Sequence, residues 1–179
     1  MPNPVNKRWE TCSEDGFDVS SLKELGVSSL TARILSNRGI TDLDQAQRFL
    51  SPSLADLPDP FTLKDMDKAV SRILRAILKK EKIILYGDYD VDGTTATALL
   101  LLFLKKVGAM VDFYVPHRLK EGYGLNGEAL KKIHALGAKL MITVDCGISS
   151  SEEICWAAKN GLDVIVTDHH EVPESLPRS

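Results

Sequence analysis

Positive charge is not in excess in this sequence. Its 22 Lys and Arg stand against 25 Asp and Glu, for a net charge of −3, so no global basic character marks it as a nucleic-acid binder. A local basic stripe or bound cations can still do that work. Cysteine is sparse. Cys12, Cys146 and Cys155 are odd in number and show no CxxC spacing, which fits a reducing compartment and neither a disulfide framework nor a zinc ribbon. Long hydrophobic runs are missing too: the longest, Ala96–Leu104 with one Thr, is far shorter than the ~20 residues of a membrane span. The N-terminus, MPNPVNKRWE, lacks the apolar stretch of a signal peptide. The cytoplasm is therefore the expected location, and a membrane is not an expected partner.

There is also no internal repeat and no low-complexity segment. With 44% hydrophobic and 26% charged residues, the composition is that of a folded globular chain rather than a disordered one. Its 179 residues suffice for one α/β domain and a small accessory segment.

Residues 1–19 are polar, with Pro2, Asn3, Pro4 and Asn6, and read as a flexible lead. Residues 20–60 read as a small helical segment followed by a linker. Ser21, Ser28 and Thr41 or Asp42 are candidate N-caps, Gly26 and Gly39 are candidate stops, and Pro52, Pro58 and Pro60 crowd the linker. From residue 61 the rhythm changes. Leu63, Met66, Val70, Ile73, Leu74, Ile77 and Leu78 recur at helical spacing, with Lys64, Lys68, Arg72, Arg75 and Lys79 elsewhere around the helix. That basic set reads as a solvated face, although it could touch a DNA backbone.

Four short apolar runs follow: Lys82–Tyr86, Val111–Val115, Leu140–Val144 and Val164–Thr167. Helix-like stretches separate them at Thr94–Val107, Gly127–Leu136 and Ser150–Asn160. Strands alternating with helices predict an α/β domain with a parallel sheet and right-handed crossovers, and near-continuous apolar strands predict cover on both faces.

Ligands of open parallel sheets bind beyond the carboxyl ends of the strands. Here the first run ends in Gly87-Asp88-Tyr89-Asp90-Val91-Asp92-Gly93, the second in Pro116-His117-Arg118, the third in Asp145-Cys146-Gly147 and the fourth in Asp168-His169-His170. Any one Asp after a strand reads as a helix N-cap. Up to five carboxylates on one edge, however, would repel and raise one another's pKa unless cations neutralised them. Asp oxygens with one or two imidazoles favour Mn²⁺ or Mg²⁺ over a Cys/His zinc site. Two ions about 3.5–4 Å apart could share a carboxylate, activate a water and steady phosphoryl oxygens. Cys146 has no assigned base and reads as a small buried residue. Arg118 could hold a phosphate with its planar fork, and Tyr123, between two glycines, reads as part of a turn.

These residues resemble the DHH phosphoesterase superfamily, named for the tripeptide seen here as Asp168-His169-His170, and within it the branch of bacterial single-stranded-DNA exonucleases. The likeness rests on Gly87–Gly93, Glu121-Gly122-Tyr123-Gly124-Leu125-Asn126, Thr143-Val144-Asp145-Cys146-Gly147 and Thr167–His170, in the family's order. It extends into the lead through Asn37-Arg38-Gly39-Ile40, Phe49–Leu54 and Asp59-Pro60-Phe61. The resemblance implies a parallel-sheet DHH-type domain over 61–179, incomplete at its C-terminus. It implies that Asp90 and Asp92 each hold a different manganese ion, that Asp145 bridges them, that His169 ligates the second ion and that His170 contacts the scissile phosphate. Asp88 stands near the place where other members use a histidine ligand and is counted with the metal set. The implied reaction is stepwise 5′-to-3′ hydrolysis of single-stranded DNA in recombination and repair, with a single-stranded-DNA-binding protein or a helicase as family partners. Family members continue well past the tripeptide to a further Asp and substrate domains, whereas this chain stops nine residues after His170. The expectation is a truncated form with a weak second metal site and little activity alone.

Three other readings compete. A DHH phosphodiesterase of very short RNAs or cyclic dinucleotides shares the acidic cluster, but such cores usually start without a lead like residues 20–60, and Glu121–Asn126 points to the exonuclease branch. A haloacid-dehalogenase-type phosphatase also has an apolar strand followed by Asp-x-Asp-Gly-Thr, which Asp90–Thr94 satisfies, but it gives no reason for Asp168-His169-His170. A non-catalytic DHH-like scaffold would have lost metal ligands that are all present here.

Overall fold

A computed structural model describes residues 21–177; the expected flexible lead at 1–19 lies outside the described residues. The chain divides into two compact units, Met1–Pro60 and Phe61–Ser179.

In the first unit a 3-10 turn at Ser21–Leu25 precedes α1 (Ser29–Asn37) and α2 (Leu43–Leu50). Ser28 and Asp42 are the N-caps, accepting from the backbone N–H of Thr31 and Gln45. Ser21 is instead part of the 3-10 turn. Leu22, Ala32, Leu35 and Ala46 form a small core of their own.

The second unit opens with α3 (Met66–Leu78) and then alternates: β1 (Ile83–Gly87), α4 (Val91–Lys106), β2 (Val111–Tyr114), α5 (Gly127–Ala135), β3 (Leu140–Val144), α6 (Ser151–Lys159) and β4 (Asp163–Thr167). All three strand pairings are parallel, in the order β2-β1-β3-β4. Side chains alternate across the strands. Ile83, Leu85, Leu140 and Ile142 pack with Ala76 of α3 and Leu104 of α4, while Ile84, Tyr86 and Met141 pack with Leu130 and Ile133 of α5 and Ile154 and Ala157 of α6. β1 and β3 are buried along their whole length, as expected for strands covered on both faces.

Lys64, Lys68 and Arg75 are exposed, as a solvated face requires, whereas Arg72 is largely buried. Arg72 donates from Nε to Asp163 at 2.6 Å and from Nη2 to the Lys139 carbonyl at 3.1 Å, and it pairs with Glu81 at 2.8 Å. Lys64 and Lys68 pair with Asp65.

From β1 the chain crosses to β2 on one side and then returns past β1 to β3 on the other. That reversal opens a crevice between the carboxyl ends of β1 and β3, the place where doubly wound sheets bind ligands.

Candidate metal centre

The β1 end is shaped by two close approaches. A Cβ on Gly87 would lie 2.1 Å from Oγ1 of Thr97, and one on Gly93 would lie 2.5 Å from the Asp88 carbonyl oxygen. Lacking side chains, both residues let the first turns of α4 close onto the strand end. Asp90 caps that helix, its Oδ1 accepting from the Gly93 N–H at 2.9 Å. Asp88 is buried and accepts from the Tyr89 N–H at 2.7 Å.

Across the crevice, Asp145 follows β3 with a φ of 64°, a left-handed conformation that is unusual for a residue with a side chain. It is only 8% exposed, and neither of its carboxylate oxygens has a hydrogen-bond partner. Nε2 of His169 lies 2.9 Å from Oδ1, within ion-pair distance but not aligned as a hydrogen bond. Burial and the nearby Asp90 carboxylate raise the Asp145 carboxyl above its ordinary value, while His169 and His170 oppose them. A buried carboxylate with both oxygens unpaired is costly, and a cation removes that cost.

Asp145 belongs to two clusters. One donor atom from each of Asp88, Asp90 and Asp145 lies within 4.8 Å of the others, and the same holds for Asp145, His169 and His170. Oxygen-rich sites with imidazole suit Mg²⁺ or Mn²⁺, so the donor set fits such ions. Asp92 lies in the first turn of α4, exposed and outside both clusters.

At the β4 end Asp168 organises its neighbours. Its Oδ2 accepts from the Ile148 N–H at 3.0 Å, and its Oδ1 accepts from the His170 N–H at 3.1 Å and meets His170 Nδ1 at 2.7 Å. Burial would raise the Asp168 carboxyl, but these bonds outweigh it and hold it below its ordinary value. His170 also meets the Tyr123 hydroxyl, 3.2 Å from Nδ1, with the two rings edge to face. Burial, and after it the charge of Asp168, pushes the Tyr123 phenol up to about 12.

The segment after β2 brings Arg118, whose guanidinium sits 5.4 Å from the centre of the Tyr89 ring. Cys146 is fully buried, with its thiol pushed up to about 12, chiefly by burial. It is a packed thiol.

The profile of the DHH family, N-terminal domain, matches residues 82–179. The chain belongs to the DHH family. Among similar members is the single-stranded-DNA-specific exonuclease RecJ of Bacillus subtilis (strain 168), 47% identical over 171 residues, which are 95% of this chain and 22% of that protein. RecJ of Escherichia coli (strain K12) is 38% identical over 150 residues, 83% of this chain and 25% of that protein. The chain thus spans about a quarter or less of the length of these curated DHH relatives. A crystal structure of exonuclease RecJ bound to manganese superposes with a TM-score of 0.63 at 40% identity, over 70% of this chain and 31% of that one. RecJ of Thermus thermophilus in complex with Mn²⁺ also gives 0.63, at 32% identity over 89% of this chain and 22% of that one.

DHH membership sets the haloacid-dehalogenase alternative aside. Two features of this DHH site escaped sequence reasoning. Asp168 read as a possible cap, but an Asp accepting from the N–H two residues on is a recognisable local turn, so its orienting role had a signal. Tyr123 read as a turn residue, and its approach to His170, 47 positions away, had none.

Proposed function

We propose that this protein hydrolyses phosphodiester bonds of single-stranded DNA with two divalent cations, Mn²⁺ or Mg²⁺, as a 5′-to-3′ exonuclease of recombination and repair. The observation that carries this reading is the Asp145 carboxylate, buried, unpaired and common to both donor clusters. Asp88 and Asp90 would hold one ion and His169 the other, with Asp145 between them. By the resemblance to the DHH family, Asp92 would hold the second ion, although it lies outside both clusters. Bound there, the ions would supply a Lewis acid for the phosphoryl oxygens and a water made nucleophilic at neutral pH.

The chain's own side chains would position the substrate. Asp168 fixes the His170 ring, whose face toward the crevice would meet the scissile phosphate. Arg118, held over Tyr89, would grip a backbone phosphate by its planar fork. Relatives named for single-stranded DNA and bound to manganese support the substrate and the metal. A single-stranded-DNA-binding protein or a helicase belongs to the same proposal as partner, and the cytoplasm as location.

The test is release of mononucleotides from 5′-labelled oligonucleotides. Mn²⁺-dependent release from single strands, absent for duplex and abolished in Asp145→Ala, supports the reading. Failure of the protein to cut or bind single strands in the presence of Mn²⁺ contradicts it.

A further inference from the structure

The segment between β2 and α5 carries Arg118 and Tyr123, yet it has no regular secondary structure of its own. Such a segment samples many conformations unless side chains tie it down. Here the ties converge on Glu121. Its Oε1 accepts from the hydroxyl of Tyr114, at the end of β2, and its Oε2 accepts from the His117 N–H at 2.7 Å. Its own N–H donates to the His117 carbonyl at 2.9 Å. The N–H groups of Lys120 and Glu121 on the His117 carbonyl, and that of Leu119 on His117 Nδ1, close His117–Glu121 into a turn; the Glu121 carboxylate ties that turn to Tyr114 of β2, and Arg118 projects from it over Tyr89.

The anchor is itself rigid. Tyr114 stacks on Tyr86, with ring centres 5.4 Å apart. Tyr86 is fully buried and donates from its hydroxyl to the Gly124 carbonyl at 3.0 Å, while Asn126, the N-cap of α5, donates to the same hydroxyl at 3.2 Å. Hydrogen bonds from His117 and Tyr114 hold the Glu121 carboxyl below its ordinary value. None of these bonds reaches Asp88, Asp90, Asp145 or His169.

We infer that Glu121 is a positioning residue: through Tyr114 and the His117 N–H it holds Arg118 in place for a substrate phosphate, without touching metal or substrate. The inference rests on the phosphate-binding reading of Arg118 given above. An acceptor is needed at both ends of the side chain, so Glu121→Ala leaves two donors unanswered. Glu121→Gln keeps a carbonyl oxygen for His117 and presents an amide that Tyr114 can accept from after its hydroxyl turns.

The experiment compares wild type, Glu121→Ala, Glu121→Gln, Arg118→Ala and the double variant Glu121→Ala/Arg118→Ala. The probe is a fluorescent phosphorothioate oligothymidine with Mn²⁺, and Mn²⁺ affinity is measured separately. Arg118→Ala is expected to weaken the oligonucleotide by about tenfold, the scale of one charge-assisted contact. Glu121→Ala should weaken it by a similar factor, the double variant should be no weaker than either single one, Glu121→Gln should recover most of the loss, and Mn²⁺ affinity should be unchanged throughout. Additive losses in the double variant, or an undiminished affinity of Glu121→Ala beside a weakened Arg118→Ala, would overturn the inference and leave the function standing. So would a loss of Mn²⁺ affinity in Glu121→Ala. Equal binding by wild type and Arg118→Ala would overturn the phosphate reading of Arg118 itself, and the inference with it.

Discussion

Nε2 of His169 lies 2.9 Å from Oδ1 of Asp145, yet that oxygen has no hydrogen-bond partner. The two groups are close without being satisfied by each other, and Asp90 adds a like charge on the other side. Cations at such a site would offset the repulsion between the two carboxylates. Under the proposed two-cation reading, fold stability and metal binding would be linked through this one carboxylate.

That linkage has a sign. Asp145→Asn removes a buried charge that accepts no hydrogen bond and stands against the Asp90 carboxylate, so the metal-free variant should melt at a higher temperature than metal-free wild type. With saturating Mn²⁺ the order should reverse, since ligand binding stabilises only the form that binds it. Thermal scans with chelator and with Mn²⁺ read both halves.

A dependence on pH comes from Glu121. The hydrogen bonds from His117 and Tyr114 favour its charged form, so its folded value lies below the ordinary 4.5. A depressed carboxyl contributes stability that is present above the unfolded value and lost as pH falls through the folded one. The stability difference between wild type and Glu121→Gln should therefore be constant at neutral pH and shrink below about pH 4.5. Denaturant unfolding at a series of pH values measures it.

Gly93 has no room for a methyl group. A Cβ there would stand 2.5, 2.7 and 2.7 Å from the carbonyl oxygen, Cβ and N of Asp88, and the backbone cannot yield as a flexible side chain would. Gly93→Ala is expected to cost roughly 2–3 kcal/mol and to displace Asp88 from Asp90. Mn²⁺ affinity should fall even at temperatures where the variant remains folded.

Arg72 joins α3 to the amino-terminal edge of the sheet through Asp163, Glu81 and the Lys139 carbonyl. Its side chain is 13% exposed, and Arg72→Ala would leave the partly buried Glu81 carboxylate behind, Asp163 being exposed. A loss of about 3 kcal/mol is expected, with Mn²⁺ affinity unaffected because the arginine acts at the opposite end of the strands. Denaturant midpoints and a Mn²⁺ titration test the two statements together.

Much of the second unit was legible because β1 and β3 are continuous β-branched or apolar runs bounded by polar turns. Lys82–Tyr86 is displaced by one residue from the observed Ile83–Gly87, and Leu140–Val144 coincides with its strand. The helix after β1 was read three residues late. Its expected start at Thr94 left Asp90 and Asp92 ahead of the helix, whereas Asp90 is the N-cap and the helix begins at Val91. One side chain can cap a helix and still face a crevice, and spacing alone does not separate the two roles. Asp92 follows from the same difference: a residue in a helical first turn projects by the helix geometry, and it lies outside the clusters that Asp88, Asp90 and Asp145 form. Contacts set by tertiary structure, such as Arg118 over Tyr89 or Tyr123 against His170, needed strand order and register. No periodicity encodes those.

The most direct test of the central claim is a calorimetric titration of Mn²⁺ into wild type and Asp145→Ala. Saturable binding by wild type, weakened in the variant by more than the ~10–100-fold that outer-sphere partners command, is the expected result. Equal binding by the two, or none by wild type, would contradict a metal centre built around Asp145.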